Sequence, residues 1–166
     1  MGRIQGRVGG DIGGFDLVAD FVNGRVYGRV GGMIHGADID VVYDDASGSF
    51  KGRIGGVLFG KDVDLLCSKE SVRGRLGGLV DGIDVDLTGD DRELSGRCGG
   101  DVIGFDSHLV NEGQVVTGRT GGEFLGKDVE VSYDGVPFCV VAALAVITRF
   151  YYDQMQLRAG ARGGSR

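Results

Sequence analysis

Proline is nearly absent. One proline among 166 residues, set beside 34 glycines without a Gly-X-Y triplet, excludes both collagen and a Pro/Gly linker. Cysteine is sparse as well. Cys67, Cys98 and Cys139 lie far apart and are odd in number, which gives neither a disulfide framework nor a zinc spacing. Reduced, buried thiols in a cytosolic protein are the expectation. Positive charge is in deficit: the net charge of −6 and pI near 4.8 speak against nucleic acid as a partner, since phosphate binding needs a basic face. The same deficit weakens simple electrostatic attachment to anionic lipid. Residues 1–6 hold no apolar stretch of the kind a secretory leader needs, so no signal peptide is expected. Gly6 stands where a myristoylation pattern calls for Ser or Thr.

Catalytic patterns are missing too. His35 and His108 are solitary, with no serine, cysteine or carboxylate at motif spacing. There is no nucleophile elbow and no P-loop. A dinucleotide fingerprint begun at Gly10 would need glycine where Ile12 stands. No catalytic, cofactor-binding or metal-ligating residue is assigned, no cofactor is expected, and the chain is read as no enzyme.

What the chain has is repetition. Gly-Arg-x-Gly-Gly occurs six times, at 6–10, 28–32, 52–56, 74–78, 96–100 and 118–122, spaced by 22 residues with one interval of 24. Nine residues after each arginine stands an aspartate: Asp16, Asp38, Asp62, Asp84, Asp106 and Asp128. Two residues before each aspartate stands a glycine. A fixed period of this size marks a repeat architecture. Each copy shows two stretches of period-two alternation. In the fourth, Val72, Gly74, Leu76, Gly78 and Val80 share one face; after an Asp81-Gly82 turn, Ile83, Val85 and Leu87 oppose Asp84 and Asp86. Turn-forming clusters at 44–48, 89–91 and 111–113 close several copies. Two strands in six copies make twelve, with connections short enough for an antiparallel meander.

The exception is residues 138–147, Phe-Cys-Val-Val-Ala-Ala-Leu-Ala-Val-Ile, ten residues without a polar side chain and preceded by Pro137. The run is too long for a usual strand and suits a helix, expected over about 136–153. It is too short for a membrane span, which needs about 20 residues. A helix apolar on every face must be buried on every face. The expected fold is therefore mainly β: a twelve-stranded antiparallel barrel of six hairpins around a buried C-terminal helix. Twelve strands tilted about 40° give a diameter of roughly 24 Å, which leaves roughly 14 Å inside a layer of side chains, enough for a helix about 10–12 Å across. The inward glycines are expected to let the wall approach that helix. The alternative is a β-solenoid with the helix as a cap. Residues 1–155 are read as one β domain with its helix, and 156–166 as a disordered polar tail.

The arginine and aspartate columns are expected to face solvent and pair across strands; a repeating charged ligand is the functional alternative. Gly-Gly-x-x-x-Gly-x-Asp invites comparison with calcium-binding β-rolls, but the period is 22 against nine, and the aspartates are expected to accept from turn amides. The loop carboxylates Asp44, Asp45, Asp90 and Asp91 are read as solvated turns.

Twelve strands followed by a hydrophobic C-terminal helix resemble the tubby-like fold. The segment Asp134-Gly135-Val136-Pro137, with 142–147 and then Asp153, is similar to the end of its LURP-one-related, scramblase-related branch. The resemblance implies a non-catalytic binding module that engages membrane lipid, including phosphoinositides, or a protein partner. From charge, run length and cysteine usage the expectation is no nucleic acid, no transmembrane span and a cytoplasmic protein, with a monomer favoured and a peripheral membrane site as the lipid version of the reading. Arg158, Arg162 and Arg166 could touch anionic lipid. A structural or self-assembling β-repeat scaffold is the alternative function.

Overall fold

In a computed structural model, residues 1–10, 13–31, 35–56, 60–121 and 126–163 are described, the last three of these for backbone only. The alternation becomes a wall of twelve strands: β1 (Gly2–Gly9), β2 (Gly14–Val22), β3 (Arg25–Gly31), β4 (Gly36–Tyr43), β5 (Ser49–Ile54), β6 (Lys61–Cys67), β7 (Ser71–Leu76), β8 (Ile83–Gly89), β9 (Glu93–Gly99), β10 (Gly104–Asn111), β11 (Val115–Thr120) and β12 (Lys127–Asp134). Every strand pairs antiparallel with its sequence neighbours. β1 pairs with β12 from Arg3 opposite Asp134 to Val8 opposite Val129, which closes the barrel. Closure leaves no free edge and overturns the solenoid alternative.

The period-two rule sets the two faces. In β8, Ile83, Val85 and Leu87 are buried while Asp84 and Asp86 are exposed. All the apolar faces turn inward onto α1 (Phe138–Gly163). Residues 140–148 of α1 are wholly inaccessible on every side. Each valine, leucine or isoleucine so buried contributes about 1.5–3 kcal/mol relative to exposure. Pro137 sits just ahead of the first turn, and its carbonyl accepts from the amides of Val140 and Val141.

Three expectations need correction. Helix α1 does not end near 153, and the tail expected to be disordered is helical through Gly163; 164–166 lie outside the described residues. The Gln-Met-Gln-Leu-Arg-Ala stretch after Asp153 consists of good helix formers with no proline to stop them. The first strand of the fourth copy stops at Leu76, not Val80, because Gly77 takes φ +82° and turns the chain out of the ladder. Leu79 and Val80 therefore stand in a loop, 93% and 99% exposed.

The third concerns the glycine that opens each Gly-Arg-x-Gly-Gly. It occupies an inward register position, yet its crowding comes from the wall itself. A Cβ on Gly6, Gly28, Gly52, Gly74, Gly96 or Gly118 would lie 1.9–2.2 Å from a carbonyl oxygen of the preceding strand, that of Glu130, Val18, Asp40, Asp64, Asp86 or His108. Six copies thus meet the same steric demand. The glycines let neighbouring strands fold sharply against each other, a wall-curving role; a Cβ would meet side chains of α1 among its nearest atoms at Gly77, beside Phe150, and at Gly13, beside the Tyr152 hydroxyl.

Candidate functional site

Because strand direction alternates, the six Gly-Gly connections all lie at one mouth of the barrel and the five other turns at the opposite one. Helix α1 runs between them. It starts at the mouth with the turns, where the Cys139 thiol lies 4.0 Å from the Tyr43 hydroxyl. It leaves through the mouth with the glycines, inside a collar. Phe15 meets Tyr152 edge-on at 5.2 Å, Lys127 stands 5.0 Å over the Tyr152 ring, and Arg149 lies 5.2 Å over Phe105. Arg149 is buried. Its Nε donates to both Asp153 oxygens at 3.0 Å, and a terminal nitrogen donates to the Thr120 carbonyl. This fork fixes how far the helix is pushed through the barrel. Burial raises the Asp153 carboxyl above its ordinary range, and Arg149 partly offsets that rise.

At the glycine mouth the column arginines pair across each hairpin, and several reach on into the loops. Arg7, Arg29, Arg53, Arg75, Arg97 and Arg119 pair with Asp16, Asp38, Asp62, Asp84, Asp106 and Asp128 at 2.5–3.3 Å, each directly opposite on its own hairpin. Among the described residues, Arg7 and Arg97 also donate to the loop carbonyls of Gly10 and Gly100, Arg75 to Gly78 and Leu79, and Arg53 to Gly60. A guanidinium reaches carboxylate and carbonyl together, as an ammonium does less well. The columns are thus solvent-facing cross-strand pairs, as expected, each contributing about 0–1 kcal/mol. In the two fully described loops, Asp84 and Asp106 accept from Arg75 and Arg97 and from no turn amide, which corrects the expectation for these copies. A second tier, Arg3–Asp20, Arg25–Asp40, Lys51–Asp64, Arg73–Asp86 and Glu93–His108, continues down the outer wall.

The loops held this way present aliphatic side chains to water. Leu79, Val80, Val102 and Ile103 are 72–99% exposed. Between their two loops and the emerging helix lies a groove of about 590 Å³, lined by Val80, Ile83, Val102, Ile103, Gln154 and Leu157 among others. This groove lies at the rim of the barrel; another, lined by Gln5, Arg7, Asp16, Val18, Asp128 and Glu130, lies on the outer wall. The sequence carried a signal for this surface. The three residues between each Gly-Gly and the glycine two before the aspartate include at least one apolar side chain in all six copies. In the other four these are Ile12; Met33 and Ile34; Val57, Leu58 and Phe59; and Phe124 and Leu125, which lie outside the described residues.

The remaining candidates are placed apart. His108 faces solvent on β10, 3.1 Å from Glu93; His35 is exposed in the β3–β4 loop. Asp44 accepts from the Ala46 amide and the Ser47 hydroxyl, and Asp90 from the amides of Arg92 and Glu93, so these carboxylates tie their turns. The Asp90 carboxyl is lowered by those two amides. Cys67, Cys98 and Cys139 are free and buried. The Cys67 thiol is driven up by its hydrogen bond with Cys139 and by burial, and Cys98 is pushed up to about 12 by burial. Among the described residues no group of three His, Cys, Asp or Glu could hold a metal ion, and no helix is long and apolar enough to cross a membrane.

A closed twelve-stranded barrel threaded by its own C-terminal helix is the class the geometry defines. No family model matches the chain, and neither does a curated protein or a solved structure.

Proposed function

We propose that this protein is a non-catalytic binding module of tubby-like type, with the glycine mouth as its contact surface and a membrane lipid or protein partner as its ligand. The architectural support is the closed barrel around a C-terminal helix, which is what the resemblance implies. The observation that carries the reading is the group of four exposed aliphatic side chains, Leu79, Val80, Val102 and Ile103, on loops anchored by the Arg75 and Arg97 guanidinium groups. Apolar side chains concentrated on one surface while the core is full serve contact, not stability. The membrane side of the reading is peripheral. The wall cannot face lipid, because its outward positions carry charged pairs where a spanning barrel presents an apolar band.

The test replaces all four residues with serine in one variant. The reading expects a melting free energy within about 0.5 kcal/mol of wild type, as for surface changes, together with loss of retention on a phenyl matrix. A loss of about 2–5 kcal/mol, the range for a deleted core side chain, would make these residues structural and overturn the reading.

A further inference from the structure

We propose that Cys67 and Cys139 form a dithiol that a hydroperoxide converts to a disulfide, with Cys139 as the attacking sulfur and Cys67 as the resolving one. The bond would join α1 covalently to the wall. The inference concerns the mouth with the turns and is independent of the binding-module reading.

The fold brings three titratable side chains to one spot. Cys67 is the last residue of β6, Tyr43 the last of β4, and Cys139 the second of α1. All three are buried in the core, and α1 packs against β6. Backbone bonds pin both strand ends: the Cys67 amide donates to the Gly48 carbonyl at 2.7 Å and the Tyr43 amide to that of Gly24 at 2.6 Å. The Cys139 sulfur lies 4.0 Å from the Tyr43 hydroxyl oxygen and shares a hydrogen bond with the Cys67 thiol. Cys98 is placed otherwise. It lies on β9, with the Ser107 hydroxyl as its polar neighbour at 4.0 Å.

The surroundings divide the work between the two sulfurs. A thiolate at Cys139 accepts from the Cys67 thiol, then from the Tyr43 hydroxyl and the Val140 amide at the helix start. These donors bring the Cys139 thiol down to about 7, although burial opposes them. The Cys67 thiol is held up by its hydrogen bond with Cys139 and by burial, so it keeps its proton. The Cys139 thiolate attacks the terminal oxygen of the hydroperoxide: an S–O bond forms, the O–O bond breaks, and the departing alkoxide takes a proton from water. The sulfenic acid so formed lies against Cys67. The Cys67 sulfur then attacks the Cys139 sulfur; the S–S bond forms, the S–O bond breaks, and hydroxide leaves with the Cys67 proton as water. Two thiols are oxidised to a disulfide while the peroxide is reduced to an alcohol and water. In a reducing compartment such a bond is transient.

The test treats full-length, reduced protein with stoichiometric hydrogen peroxide at neutral pH, digests it without reduction and maps the products by mass spectrometry. The expected product is a Cys67–Cys139 cross-link, reversed by dithiothreitol, with Cys98 still a thiol because burial pushes it up to about 12. Two variants assign the roles. Cys67→Ser, oxidised and then unfolded in dimedone, is expected to carry the adduct on Cys139. Cys139→Ser is expected to leave both remaining cysteines as thiols under the same treatment. The wild-type map needs no variant, so the test stands even where a substitution at this packed site fails to fold. Folded wild type that stays reduced overturns the inference. So does oxidation of Cys98 at the same rate as the other two, or of Cys139 to a sulfinic acid without a cross-link. A dimedone adduct on Cys67 in Cys139→Ser would overturn the assignment of attacking and resolving sulfurs.

Discussion

At the mouth where α1 begins, four of the five tight turns are tied by their own polar side chains, those of Asp44, Ser68, Asp90 and Asn111. Asp44, Asp90 and Asn111 each accept from an amide two residues on, and Asn111 also bridges to the Asp91 carbonyl and the Tyr133 hydroxyl. At the mouth where α1 leaves, the loops are tied from below by arginines on the wall, and their tips carry Leu79, Val80, Val102 and Ile103 instead of caps. One set of strands thus ends in two ways. A turn that satisfies itself has its polar side chains committed inward to the backbone. A loop satisfied by the wall leaves its tip residues free of any structural duty, so they can be chosen for contact. Anchoring from the wall is the device that makes an exposed apolar tip compatible with an ordered loop.

That contrast depends on a helix running the whole length between the mouths, and the largest expected effect tests it. Ala142, Leu144 and Ala145 point in different directions around α1 and are all fully buried. An aspartate at any of them would be an unpaired buried ion, costing several kcal/mol at least, against a total of about 5–15 kcal/mol for a domain. Ala142→Asp, Leu144→Asp and Ala145→Asp are each expected to abolish soluble folding, read by far-UV circular dichroism and thermal melts. A wild-type melt from any one of them would mean that this face of α1 is open to water.

The next effect separates glycines that build the wall from those that only border the loops. A Cβ on Gly96 would lie 1.9 Å from the Asp86 carbonyl oxygen, whereas one on Gly56 would meet nothing within 4 Å. Gly96→Ala is expected to cost about 1–3 kcal/mol, as overpacking does, and Gly56→Ala less than about 0.5 kcal/mol. Equal losses in chemical denaturation would remove the distinction.

The smallest effect is a difference in pH dependence between the mouths. Asp90, at the turns, has its folded titration lowered by the Arg92 and Glu93 amides. Its stabilisation is present above the unfolded value of 3.8 and is lost as pH falls through the folded one. Asp153, at the collar, is raised by burial, so the folded state holds more protons than the unfolded one just above 3.8 and stability falls as pH rises through that window. Melting temperature against pH should therefore be flatter on the acid side in Asp90→Ala, and should lose a decline on the other side of 3.8 in Asp153→Asn. The same change in both variants would show that the two carboxylates share one environment.

The wall was legible in the sequence because its cause is periodic. Alternation put Val85 and Leu87 inside and Asp84 and Asp86 outside, and the fixed Arg-to-Asp interval put each pair face to face across a hairpin. Burial of 139–147, with Phe138 half-buried ahead of it, was legible because no solvent-facing choice exists for that run. The ends of elements were not. Continued alternation through Val80 imitates a strand; the Gly77 backbone conformation ends it, and conformation has no period. Likewise the opening glycines announced a close approach, but not that the near body is the adjacent strand and not the helix. The candidate surface went unread for a related reason. Val80 counts as core while it is assigned to a strand, and becomes part of a surface with Leu79, Val102 and Ile103 only when the loops are seen.

Hydrogen exchange read by mass spectrometry, on the variant with serine at all four tips and on Asp90→Ala, tests the difference between the mouths most directly. Protection in peptides spanning 77–82 and 99–104 is expected to survive the four tip substitutions, because the wall holds those loops. Exchange in peptides spanning 90–93 is expected to quicken in Asp90→Ala, because that turn holds itself. Quicker exchange at the substituted tips, or unchanged protection at 90–93, would contradict the difference.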